Sequence, residues 1–195
     1  MSHFFTAVII PPTGDPEKHV NKLLAAHEED ENGGHWDWFQ IGGRWTGVLA
    51  DYDPATDPRN TEICSQCGGT GIRTDRPEMV SKVIEGVDSF GEERVNHPRL
   101  GQTGWCNGCD GRGTRSVWPT NFQRYPGDVM QISKLPKQPT PHALVTPDGR
   151  WQEIGEMGWF GAMNQTESEG DWAEVIRATL EKYQDHRIVV VDCHI

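Results

Sequence analysis

Residues 4–17 read FFTAVIIPPTGDPE. The apolar, β-branched run over residues 4–10 stops at Pro11 and Pro12, the pattern of a short buried strand closed by residues that cannot extend a ladder. A helix is predicted to follow at once. Asp15 suits an N-cap, Pro16 falls at the first helical position where its missing N–H costs nothing, and Glu17 lies at the positive end of the helix dipole. Val20, Leu23, Leu24 and His27 then share one face, and the acidic EEDENGG of residues 28–34 ends the helix.

Working outward, the last nine residues, RIVVVDCHI, are apolar enough for an interior strand. They follow a second amphipathic helix, in which Trp172, Val175, Ile176, Leu180 and Tyr183 recur at helical intervals and Asp171 and Glu174 have capping-box spacing. Between the helices, HWDWFQIGGRWTGVLADY at residues 35–52 suggests two strands, or one bulged strand, around Gly42 and Gly43. DVMQISKL at 128–135 reads as a strand, and HALVTPDGRWQEI at 142–154 as a hairpin turning on Pro147, Asp148 and Gly149. Residues 155–170, containing GWFGAM, read as a long loop. Strand, helix, strands, helix, strand predicts an α+β fold. Its expected form is a ferredoxin-like sandwich, a mostly antiparallel sheet with two helices on one face, interrupted by a zinc-binding insertion. The main domain is assigned to 1–61 and 116–195 and the insertion to 62–115, with the turn-rich DPATDPRN of 53–60 as the hinge and the main domain resuming near Val117.

A chain of 195 residues suits one domain with a guest. Hydrophobic content of 35% with eight Trp supports a core, while 22 Gly and 13 Pro make the chain rich in turns. The formal charge is −11, or about −13 once four thiolates and one divalent ion are counted. The basic residues are scattered among acids, which excludes a long nucleic acid as the expected partner. A small phosphorylated ligand needs only one or two local cations. There is no basic leader and no apolar run of the roughly 20 residues a membrane span requires, so a cytoplasmic protein with no membrane partner is expected.

CSQCGGTG at 64–71 and CNGCDGRG at 106–113 are two copies of Cys-x-x-Cys-x-Gly-x-Gly. Two residues between cysteines let both sulfurs of a knuckle meet one ion, and two knuckles complete a tetrahedral set. Cys64, Cys67, Cys106 and Cys109 are therefore expected to hold one structural Zn²⁺ in a closed site. This module resembles the cysteine-rich zinc region of DnaJ chaperones and the zinc site of anti-TRAP. DnaJ regions carry four copies and two ions; two copies imply one, and without a His-Pro-Asp signature the resemblance implies no chaperone activity. The plainest reading is a zinc-stapled loop. A redox switch is the rival, disfavoured because neither knuckle is expected to have the cationic surroundings that lower a thiol pKa. Cys193 is left over.

If residues 35–39 are extended, His35, Asp37 and Phe39 share one face and Trp36 and Trp38 the other. Arg44 beside Trp45 can pair with a phosphate while an indole stacks on a base, making Trp36, Trp38, Arg44 and Trp45 candidate ligand-binding residues. In the terminal strand Asp192 and His194 alternate onto one face. They could meet His35 and Asp37 in a polar cleft, and these four are the candidate catalytic residues. The competing assignment puts the tryptophans in the core and the polar four at satisfied sheet edges.

HWDWFQIGGRWTG, VTPDGRWQEIGEMGWFG and VVVDCHI together resemble a family of uncharacterised actinobacterial and actinophage proteins. The resemblance implies a small cytoplasmic protein, in the host cytoplasm if phage-encoded, and carries no activity with it. Three functions are weighed. The first is a binding or inhibitor protein that captures a small anionic, nucleotide-like ligand or a protein partner. The second is a phosphoesterase or nucleotide hydrolase using His35 and His194 with Arg44. The third is a structural accessory docking through the zinc insert.

Overall fold

The computed structural model describes residues 2–30, 34–75, 106–157, 163–166 and 168–195. Two regions read from the sequence, the centre of the insertion at 76–105 and the tip of the 155–170 loop at 158–162, lie outside the described residues. The chain divides into two compact units, one formed by Met1–Asp57 with Trp118–Ile195 and the other by Pro58–Val117.

In the first unit, β1 (His3–Ile10) leads into α1 (Pro16–Leu24), whose N-cap Asp15 accepts from the Glu17 N–H at 3.0 Å. β2 (Trp38–Ile41) follows, then, beyond the second unit with its β3 (Thr61–Ile63) and β4 (Thr114–Ser116), β5 (Val129–Gln131). Next come β6 (Ala143–Val145), β7 (Trp151–Glu153), β8 (Gly155–Met157), β9 (Met163–Gln165), α2 (Glu169–Lys182) and β10 (Arg187–His194). The result is a mixed α/β unit whose sheet runs β2-β10-β1-β6-β7, with β5 also on β10. Pairing is antiparallel except between β1 and β6.

β1 and β10 lie side by side in the middle of this sheet, in register from His3↔His194 to Ile10↔Arg187. Seven of the eight residues in each are buried, because both faces are covered; this is why the two read as nearly unbroken apolar runs. Alternation sorts their side chains. Phe4, Val8, Ile10, Val189, Val191 and Cys193 pack with Val20 and Leu24 of α1. Phe5, Ala7, Ile9, Ile188 and Val190 pack with Trp172, Ile176 and Leu180 of α2. The helices therefore sit on opposite faces of the sheet, giving three layers in place of the expected sandwich with both helices on one face. Each helix buries its own apolar stripe, and a central strand with apolar residues at odd and even positions offers both faces a partner.

Four further expectations are corrected. Only β2 is a strand in residues 35–52; past it the chain makes 3-10 turns at Gly43–Trp45 and Val48–Ala50. Residues 128–135 give only three strand residues, followed by a 3-10 turn at Ile132–Lys134. Asp128 is fully buried and pins the turns instead, accepting from Thr46 Oγ1, from the Gly47 N–H at 2.6 Å and from the Tyr125 N–H at 3.1 Å. Burial raises its pKa against the pull of those donors. The loop at 155–170 contains the β8–β9 hairpin. Finally, α2 is capped by Ser168, which accepts from the Asp171 N–H at 3.1 Å, three residues before the expected cap. The 142–154 hairpin forms as read, β6 against β7 with Gly149 at φ 83°. Among the described residues no helix is long and apolar enough to cross a membrane.

Candidate functional site

Within the unit Pro58–Val117, β3 and β4 pair from Thr61↔Ser116 to Ile63↔Thr114 and carry the two knuckles to each other. The knuckles then exchange hydrogen bonds reciprocally. The Cys64 N–H donates to Gly113 O at 2.9 Å and the Cys106 N–H to Gly71 O at 3.0 Å. The N–H groups of the same two glycines donate to sulfur, Gly71 to Cys67 Sγ at 3.3 Å and Gly113 to Cys109 Sγ at 3.2 Å. Each glycine thus closes its own knuckle and anchors the other.

Cys64, Cys67, Cys106 and Cys109 bring all four sulfurs within 4.8 Å of one another. The Cys64–Cys106 and Cys67–Cys109 separations are 3.8 and 3.7 Å. A tetrahedron with metal–sulfur distances of about 2.3 Å has edges of about 3.8 Å, so the cluster can hold one metal ion. Electrostatics points the same way. Burial raises the Cys67 thiol, but the Gly71 N–H and neighbouring thiols bring it down to about 7, while burial pushes Cys106 up to about 12. Four adjacent thiolates need a cation between them. Positive groups are also closer than the sequence suggested: Arg112 Nε donates to Cys109 O at 3.2 Å, and Arg73 interacts electrostatically with Cys106 and Cys64.

The other constellation lies at one end of the central strands. His3, His194 and Trp38 face one another across β1, β10 and β2 by direct register. His194 Nδ1 meets Asp37 Oδ1 at 2.6 Å, and His3 Nδ1 meets Asp192 Oδ1 at 2.9 Å. The two imidazoles stand edge to face with centroids 4.9 Å apart, and Trp38 stacks on His194 at 5.5 Å. Asp192, wholly buried, also accepts the Arg44 N–H at 3.0 Å through Oδ2. His3, Arg44, Trp45, Pro119, Phe122 and His194 line an open hollow of about 520 Å³.

The sequence candidates therefore separate. Asp37, Asp192, His194, Trp38, Arg44 and Trp45 gather at this end. His35 does not: it stacks on Trp151 at 4.5 Å and pairs with Glu153 Oε2 at 3.3 Å. Trp151 packs against the α1 layer, whereas His194 alternates with the residues beneath α2, so the sheet itself separates His35 from His194. Trp36 is a core residue, 6% exposed, with its indole N–H donating to Leu24 O at 3.2 Å. Trp45 lies between roles, stacked on Phe5 at 6.0 Å while its buried indole N–H has no acceptor among the described residues. Cys193 is buried in the α1 layer, where burial pushes its thiol up to about 12.

His3 was missed. Its signal was present, since His3 and Phe5 alternate onto one face, as do Asp192 and His194, and pairing the first strand with the last sets the two histidines opposite. No family model, curated protein or solved structure matches this chain.

Proposed function

We propose that the protein captures a small anionic, nucleotide-like ligand in the hollow of His3, Arg44, Trp45 and His194, and that the four cysteines hold one structural Zn²⁺. The observation that carries the capture reading is the Arg44 side chain. It is exposed, lines the hollow and has no carboxylate partner among the described residues, although the chain holds 29 acids against 18 Lys and Arg. A guanidinium left unpaired in so acidic a protein is available for a phosphate or carboxylate, which it grips in bidentate fashion. The Trp45 and Phe122 side chains line the same hollow and supply rings on which a base can stack. Zinc is the ion that a closed set of four thiolates suits, and with no open position its role is to hold the knuckles together. In this reading the chain is a phage-type binding or inhibitor protein acting in the host cytoplasm, in keeping with the sequence resemblance noted above.

Isothermal titration of the zinc-loaded protein with AMP and with cyclic di-AMP tests the reading. Binding is expected, and Arg44→Ala should weaken it by roughly 10- to 100-fold, the worth of one charge-assisted contact. Failure of both ligands to bind, or affinity that Arg44→Ala leaves unchanged, refutes it.

A further inference from the structure

Capture alone does not require two histidines, each backed by its own carboxylate, on the wall of the hollow. We propose that His3 and His194 form a general acid–base pair that hydrolyses a phosphodiester whose phosphate is held by Arg44. The inference rests on the capture reading and adds turnover to it.

The geometry supplies what such a pair needs. Each Nδ1 is committed to a carboxylate, His3 to Asp192 and His194 to Asp37, so in the neutral ring Nδ1 carries the proton and Nε2 offers its lone pair. Neither Nε2 has a protein partner among the described residues, and both rings line the hollow. Direct register on adjacent strands and the Trp38 stack hold the rings in place, as a rigid scaffold should. The centroids are 4.9 Å apart, so both rings can reach one bound phosphate at the same time. One ring serves as base and the other as acid, the division of labour that hydrolysis requires. Asp192 bonds both His3 and the Arg44 N–H, tying the imidazole to the backbone that carries the phosphate-binding guanidinium. The four groups pair off as two dyads; among the described residues only the cysteines bring three or more metal-ligating atoms together.

In the step, the neutral imidazole takes a proton from water through Nε2 as the water oxygen bonds to phosphorus. The bond from phosphorus to the leaving oxygen breaks, its electron pair stays on that oxygen, and the imidazolium Nε2–H protonates it. A phosphomonoester and an alcohol leave. The two rings have exchanged one proton between them, and water is the only co-reactant. Arg44 stabilises the charge that gathers on the non-bridging oxygens.

The test incubates the full zinc-loaded chain with bis(para-nitrophenyl) phosphate and with cyclic di-AMP, following para-nitrophenolate release and ring opening, while titration calorimetry measures binding separately. A bell-shaped pH–rate profile is expected. His3→Ala and His194→Ala should each lower kcat by about 100-fold or more, far more than they weaken binding of cyclic di-AMP, and recover part of the rate when imidazole is added. His3→Gln and His194→Gln replace them if the alanine variants do not fold. Wild-type protein that binds cyclic di-AMP yet turns over neither compound overturns this inference and leaves capture standing. Turnover that survives both histidine substitutions also overturns it, and absence of any binding removes both readings.

Discussion

Gly43→Ala is the substitution that most directly tests how the Arg44 turn is built. Gly43 sits at φ +56°, and a Cβ there would lie 2.4 Å from Gln40 Nε2, 2.5 Å from Asp192 Oδ2 and 2.7 Å from Asp192 Cβ. Gln40 can withdraw by giving up its bond to Thr120 O at 3.0 Å. Asp192 cannot, because it is wholly buried on a central strand paired on both sides. The left-handed backbone costs an alanine about 1–2 kcal/mol, and parting Arg44 N–H from the buried carboxylate costs about 1.5–3 kcal/mol more. Together these come to about 2.5–5 kcal/mol. At about 2–4 °C per kcal/mol for a chain of this size, Tm should fall by roughly 5–20 °C. Gly149 provides the control, since it has φ +83° but nothing within 4 Å of a built Cβ. Gly149→Ala should show only the backbone cost, about 1–2 kcal/mol. Urea unfolding followed by tryptophan fluorescence measures both variants. Equal destabilisation of the two would refute the argument that Asp192 needs the space above Gly43.

Two other outcomes are expected. Elemental analysis of the purified protein should find one zinc per chain, and a strong chelator should expose residues 58–117 to protease, since structural zinc sites contribute on the order of 10 kcal/mol to folding; absence of zinc, or indifference to chelation, counts against the centre. His142 gives a pH effect of definite sign. Burial holds its pKa below the ordinary imidazole value despite the opposing Glu153 carboxylate and a hydrogen bond with the Gly155 backbone. The neutral ring is thus favoured in the folded state, so its contribution to stability is present above about pH 6.5 and is lost as pH falls from there through the folded pKa. Denaturation midpoints should decline through that window, and His142→Gln should flatten the decline; an equal slope in both proteins would show that another group is responsible.

The parts of the fold that the sequence announces are those where one local pattern meets one environment. β1, α1, α2 and β10 are periodic or continuous apolar runs, and Asp15 caps α1 by a local hydrogen bond. The cysteine cluster was equally legible, because knuckle spacing is itself the geometry of the site. Which face each helix covers is another matter. Val8 and Ile9 are both fully buried, so β1 invites a helix on either side, and the choice belongs to the path of the chain. The sequence placed His35 in the polar cleft because extended structure was assumed from residue 35. The strand starts at Trp38, and His35 is drawn to Trp151 and Glu153 on the other face. The expected 128–135 strand starts only after Asp128, which is held by Thr46 and Gly47 some 80 residues earlier as well as by nearby Tyr125, and it ends at the Ile132–Lys134 turn. Ser168 takes the cap of α2 by bonding Asp171 twice, through the backbone N–H and a carboxylate oxygen.

The reciprocal bonds between the knuckles have a consequence for how this chain can vary. Because Cys64 is anchored to Gly113 and Cys106 to Gly71, the two knuckles are tied backbone to backbone as well as through their sulfurs. One residue added inside either knuckle would therefore break this register and pull a sulfur away from its three companions.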